Sequence, residues 1–334
     1  MGEICMNNQL MSVSAVAELL LAGRPLAVAG PESALDQLPA GPWIGGTIPY
    51  FMTDAGGCIV QDERVFVTDL ATFGQDVSFA CLSPDELQRI SGDAPDNGIA
   101  LAILPAGSAT HQRFASEAAS YPDAFVKPTV GWISGVHLSD LGRVTPKVYD
   151  GREARKHEDR AVVAHIRLPA DKLALVEIVN LFEPEEGDVL HFDETRFEVG
   201  ECSVNGERVR LSDYITSRGL EHGRQPLIGD FAGAKVNVSL QSVDTSQGRV
   251  HLYAPVFPGV DYRFAKPQPD YAEHFRSEIA RRDTSGAAWS CNCILNFVFG
   301  ELEGKRIGGL SGPITFGEIG YQLLNQTMVT LRVV

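Results

Sequence analysis

The stretch from Ala287 to Val334 constrains the fold of this chain more than any other. It consists of an apolar strand-like run, a loop with five glycines between Gly300 and Gly312, a second strand at Pro313 to Ile319, and a closing strand at Met328 to Val334. Glycines that cluster where buried strands meet mark backbone that turns sharply or lets another segment approach closely. Glu318 follows Gly317 inside an otherwise apolar segment, where an unpaired charge is costly to bury. Its carboxylate must reach solvent or meet a partner.

A chain of 334 residues is long enough for about two domains. With 44% hydrophobic and 21% charged residues it can build real cores and is not disordered. Its 28 basic and 43 acidic residues give a formal charge of −15, a field that repels phosphate backbones and anionic lipids and argues against nucleic-acid binding. The most apolar segment, Val13 to Ala29, is interrupted by Glu18 and Arg24, so it reads as neither a secretory signal nor a membrane span. Six cysteines (Cys5, Cys58, Cys81, Cys202, Cys291, Cys293) lack framework spacing, as expected of reduced thiols in the cytoplasm.

The first part reads as α/β layers. A helix over Ser14–Leu21 is followed by a short strand at Pro25–Ala29, a helical turn at Glu32–Leu38 and a strand at Pro42–Thr47 that ends in a double glycine. Val65–Leu70 alternates, Pro84–Ile90 is helical, Ile99–Leu104 is an unbroken apolar strand of the kind covered on both faces, and Ser108 caps a helix to Ser120. Gly142–Asp159 is charged and reads as an exposed loop. Beyond it come short strands at Ala161–Leu168, Leu173–Asn180, Asp188–Phe192 and Phe197–Val204. Asn205-Gly206 is a hairpin signal, and Lys235–Val243 with Arg249–Ala254 forms a second hairpin. Asp270 caps a helix to Arg282 with Tyr271, Phe275 and Ile279 on one face. The expected architecture is therefore two mixed-sheet domains with flanking helices, α/β over residues 1–200 and α+β, mostly antiparallel, over 201–334.

Few motifs carry chemistry. Cys291-Asn292-Cys293 places two thiols on one strand face, too few for a closed zinc site; they are either buried small hydrophobes or a redox pair or haem ligand. Gly300-Glu301-Leu302-Glu303-Gly304-Lys305-Arg306 is one residue short of a phosphate loop, and its two glutamates oppose phosphate. Gly131-Trp132-Ile133-Ser134-Gly135 lacks the spacing of a nucleophile elbow. The eight histidines form no His-x-x-x-His pattern, and those at His165, His191 and His251 fall in strand-like runs.

Ser290-Cys291, Gly312-Pro313-Ile314-Thr315-Phe316-Gly317-Glu318-Ile319 and Leu324-Asn325-Gln326-Thr327 together resemble the C-terminal FIST domain. Phe197–Gly219, Val256-Phe257-Pro258-Gly259 and Ile44-Gly45-Gly46-Thr47 extend that resemblance over most of the chain, with a departure at Ile48-Pro49-Tyr50, where the family has Gly-Glu-Ile. The resemblance implies a non-enzymatic sensory module that binds a small ligand such as an amino acid and signals through a protein partner. For a zwitterion, a pocket needs a carboxylate for the ammonium and backbone donors for the carboxyl. Glu318 beside Gly317 could supply the first and Gly45, Gly46 and Thr47 the second. Phe316 or Tyr321 would form an apolar wall, and Asn325 would complete the polar contacts or hold the turn. Alternatively, Glu318 fixes the sheet through a buried partner. Two other functional readings stay open, an enzyme using Cys291 or Cys293 with a histidine, and non-covalent haem held by a histidine. No other cofactor is expected.

Overall fold

The computed structural model describes residues 8–282, 284 and 286–334; Cys5 lies outside them. The fold is mixed α/β and α+β, rich in strands and poor in helices, with five sheets among the described residues. The first sheet runs Gln9–Ser12, Arg64–Asp69, Leu26–Gly30, Trp43–Thr47, Val148–Asp150, Arg155–His157. The second runs Gln322–Leu324, Glu318–Gly320, Thr129–Ser134, Gly98–Pro105, Ala161–Arg167, Asp76–Leu82. The third runs Ala174–Asn180, Thr327–Val333, Ala287–Cys293, Gly312–Thr315, Tyr50–Thr53, Gly56–Ile59. Residues 190–264 supply a six-stranded and a three-stranded sheet of their own.

The second sheet is central because Gly98–Pro105 is buried on both faces. Ile99, Leu101 and Ile103 join one core with the inner faces of the first and third sheets, while Ala100, Ala102 and Leu104 join another that packs against strands of residues 190–264. The unbroken apolar run is thus the signature of a strand with no solvent face. A third cluster lies under Val13–Leu21 and Glu32–Leu35, helices that cover the outer face of the first sheet.

Strands from either side of residue 200 share two sheets. Tyr50–Ile59 completes the third, pairing Gly312 with Met52, and Glu318–Leu324 completes the second, pairing Glu318 with Trp132. The link between them is the segment expected as one strand over Pro313–Ile319. It is instead two strands in two sheets, and Phe316-Gly317 hands the chain from one to the other. The second sheet keeps hold through the crossover, with Phe316 N–H donating to Ile133 O (3.1 Å) and Ile133 N–H to Gly317 O (2.8 Å).

Several other expectations need correction. The apolar run after Ala287 stops being a strand at Cys293, which caps the helix Ile294–Phe299. Phe197–Val204 breaks at Gly200 into strands of different sheets. Gly142–Asp159 is not all exposed loop. Val148–Asp150 is buried in the first sheet beside Ile44–Gly46, and its charge is tolerated because Asp150 is paired to Arg152 (2.6 Å). Pro84–Ile90 is a 3-10 turn followed by a short helix at Arg89–Gly92. The Asn205-Gly206 hairpin forms with both residues at positive φ, 52° and 89°, which matches the tight turn read from the sequence.

Candidate functional site

Glu318 is fully buried. Its Oε2 accepts from Thr327 N–H (3.2 Å) and Thr327 Oγ1 (2.7 Å), while Oε1 has no hydrogen-bond partner among the described residues. Burial raises the carboxyl to about 8, against the opposing pull of hydrogen bonds from Thr327 and Cys293, so the group is a neutral acid at neutral pH. Cys291 and Cys293 lie beside it, also buried, with thiols pushed well above their ordinary value by burial and then by Glu318. Such thiols are poor nucleophiles.

The other expected site residues separate. Gly45 and Gly46 lie inside a strand paired on both sides, Gly45 hemmed in by its own sheet and Gly46 by the sheet packed against it. A Cβ on Gly45 would stand 2.8 Å from Val28 O, and one on Gly46 2.7 Å from Ile103 Cγ2. Thr47 bonds the backbone of Lys147 in both directions, and Gly317 belongs to the crossover. Tyr321, at φ 64°, packs its ring on Phe125 at the surface. Asn325 accepts from Ser239 N–H (2.8 Å) and donates to Asn237 O (3.0 Å), using its amide as an extra peptide unit where the edge of the 190–264 unit is interrupted. Phe316 and Thr47 face clefts, but different ones: Thr47 lines a cleft of about 360 Å³ with Pro31, Ile48 and His137, while Phe316 lines another, seated against Gly135, where a Cβ would be 2.4 Å from its ring.

The Phe316 cleft, of about 350 Å³, lies where three parts of the molecule meet. The start of the helix Ala109–Glu117 forms one wall, and a strap over residues 136–146 forms another. Phe197 and Leu252 come from the 190–264 unit, and Ile294 and Phe316 close the base. The strap is pinned by Leu138 N–H donating to the Tyr50 hydroxyl (2.9 Å), yet it leaves Leu141 and Val144 49% and 41% exposed at the rim.

Within this apolar lining His111 stands out. Its Nδ1 accepts from Gly107 N–H (3.2 Å), which places the ring proton on Nε2. That Nε2 is buried and has no partner among the described residues. Burial lowers the imidazole to about 4, so it is neutral at any physiological pH. A buried donor left unsatisfied costs about 1–3 kcal/mol, so its persistence needs an explanation. The sequence offered no signal for this residue, because a histidine early in a helix is ordinary. By contrast His165, inside a strand, is satisfied through Nε2 and Ile90 O (3.0 Å).

Two neighbouring features do less. A more open cleft of about 430 Å³ is lined by Arg196, Arg208, Arg210 and Arg249, but each has a carboxylate within 4.0 Å: Glu194, Asp193, Asp213 and Glu198 respectively. The glycine loop after Gly300 docks by backbone on Gly57, where a Cβ would be 2.4 Å from Leu302 O. Among the described residues no group of three or more His, Cys, Asp or Glu is placed to hold a metal ion, and no helix is long and apolar enough to cross a membrane.

Fold and site together define a strand-rich α/β protein with interlocked sheets and a largely apolar cleft. The chain belongs to a family of unknown function, DUF6976, whose sequence model it matches over residues 11–334. No curated relative matches it.

Proposed function

We propose that this chain is a non-catalytic sensory module that binds a small organic molecule in the cleft between His111 and Phe316 and signals through a protein partner. The observation that carries the reading is His111, which lines this largely apolar cavity and whose buried Nε2–H has no partner among the described residues, a donor in want of an acceptor. The FIST resemblance supports it from the sequence side, since Phe316 lies within the stretch that carries the likeness. Chemistry at Cys291 or Cys293 is disfavoured by their burial beside Glu318.

A thermal-shift screen of the purified chain against metabolites, amino acids included, tests this. A ligand at a hundred times its dissociation constant adds about 2.7 kcal/mol to the native state. Hits should vanish in Val136→Trp and in Leu138→Trp, each of which fills the cleft from the strap. A screen without hits, or hits untouched by both substitutions, removes the reading.

A further inference from the structure

The charges around the cleft say more about its occupant than its size does. Among the described residues that line it there is no lysine or arginine. The one carboxylate, Glu198, is about half exposed and already faces Arg249 (3.5 Å) and His251 (3.6 Å). The remaining polar groups are two uncharged amides, Gln112 and Gln241, the phenol of Tyr253, and the imidazoles of His111 and of His251, the latter already turned to Glu198. A ligand carboxylate would therefore be desolvated with no countercharge except His251, which Glu198 already engages, and an ammonium would compete with Arg249 and His251 for a single shared partner. Neither end of a zwitterion is provided for. Aromatic rings do line the walls, Phe197 and Phe316 among them, and Phe197 meets His111 edge-on at 5.9 Å.

From this, and resting on the ligand-binding reading above, we infer that the cleft takes an uncharged, ring-bearing molecule whose carbonyl or equivalent acceptor receives the Nε2–H of His111. The ring is held between aromatic walls, the acceptor satisfies the orphaned donor, and the strap residues Leu141 and Val144 lose exposed apolar surface as they close over it. His111 is thus the specificity-determining residue. It favours acceptors and, being neutral, offers nothing extra to anions.

The test uses one ring with four heads. The full chain, with isotope-labelled histidine, is titrated by NMR with naphthamide, naphthoate, naphthylmethylammonium and naphthylalanine. Naphthamide should bind at least about tenfold more tightly than its three ionised siblings and move the His111 Nε2–H signal. His111→Phe should weaken it by about tenfold, and Val136→Trp should abolish binding. Should His111→Phe not fold, the shift of the wild-type Nε2–H signal decides. If naphthoate or naphthylalanine binds as tightly as the amide, and that binding is lost in Val136→Trp, the inference is overturned while the ligand-binding reading survives. If none of the four binds, or Val136→Trp changes nothing, both fall.

Discussion

At the scale of single residues, Glu318 governs how stability responds to pH. The native state holds its proton up to about pH 8, whereas the unfolded chain releases it near 4.5. Between those limits the native state carries the extra proton, so this group's contribution is complete below about pH 4.5, falls as pH rises, and levels off above about 8. The slope is about 1.4 kcal/mol per pH unit at most. Glu318→Gln, neutral throughout, should remove that component. Urea midpoints of the variant and the wild type should diverge in the variant's favour from about pH 5 to about pH 8, and parallel curves would show that the carboxyl is ionised in the native state. Iodoacetamide should leave Cys291 and Cys293 unlabelled in the native protein at neutral pH and label them on unfolding; rapid native labelling would revive a thiol enzyme. The sequence made Glu318 conspicuous because a carboxylate among apolar neighbours is rare. It could not tell a ligand-facing acid from one sealed against Thr327, since that depends on Thr129–Ser134, the neighbouring strand whose pairing no local pattern specified.

At the scale of elements, local signals were reliable where one segment decides its own conformation. Asp270 accepts from Glu273 N–H (2.9 Å), and Tyr271, Phe275 and Ile279 are buried along one face, as the spacing required. Asp270→Ala should cost about 1 kcal/mol in chemical denaturation. The signals failed where a segment serves two sheets. Apolar residues continue through Phe316, so nothing in the alternation announces that the chain changes partners there. The sequence offers Asn325 either to a ligand or to its own turn, and could not show that it bonds Asn237 and Ser239, which come from a unit far away in sequence. Asn325→Ala removes two buried bonds to backbone and should destabilise by about 2–4 kcal/mol, whereas Asn325→Gln should not restore them, since the longer amide no longer spans the same gap. Loss of less than about 1 kcal/mol would show that water replaces the clamp.

At the scale of the whole molecule, interlocked sheets predict one cooperative transition. Urea unfolding followed by tryptophan fluorescence and by far-ultraviolet circular dichroism should give coincident curves, because Trp132 and Trp289, whose rings stack at 6.3 Å, report on the second and third sheets together. A fragment ending at residue 200 should not fold by itself, as its second and third sheets would lack strands supplied from beyond residue 286. Two separated transitions would overturn this. Sequence composition correctly indicated enough apolar residues for more than one core, but the way the cores share strands is a long-range property that no window of sequence holds.

The order of strands also sets a timetable. Thr327–Val333 lies between Ala174–Asn180 and Ala287–Cys293 in the third sheet, and Glu318–Leu324 closes one edge of the second. A ribosome therefore releases the early strands long before their last neighbours exist, and the second sheet cannot be completed until residue 324, nor the third until residue 333, has left the exit tunnel. Vectorial, piece-by-piece folding is closed to these two sheets, and throughout synthesis the apolar strands at Gly98–Pro105 and Tyr50–Ile59 wait with surfaces uncovered, which makes the nascent chain a natural client for holding chaperones.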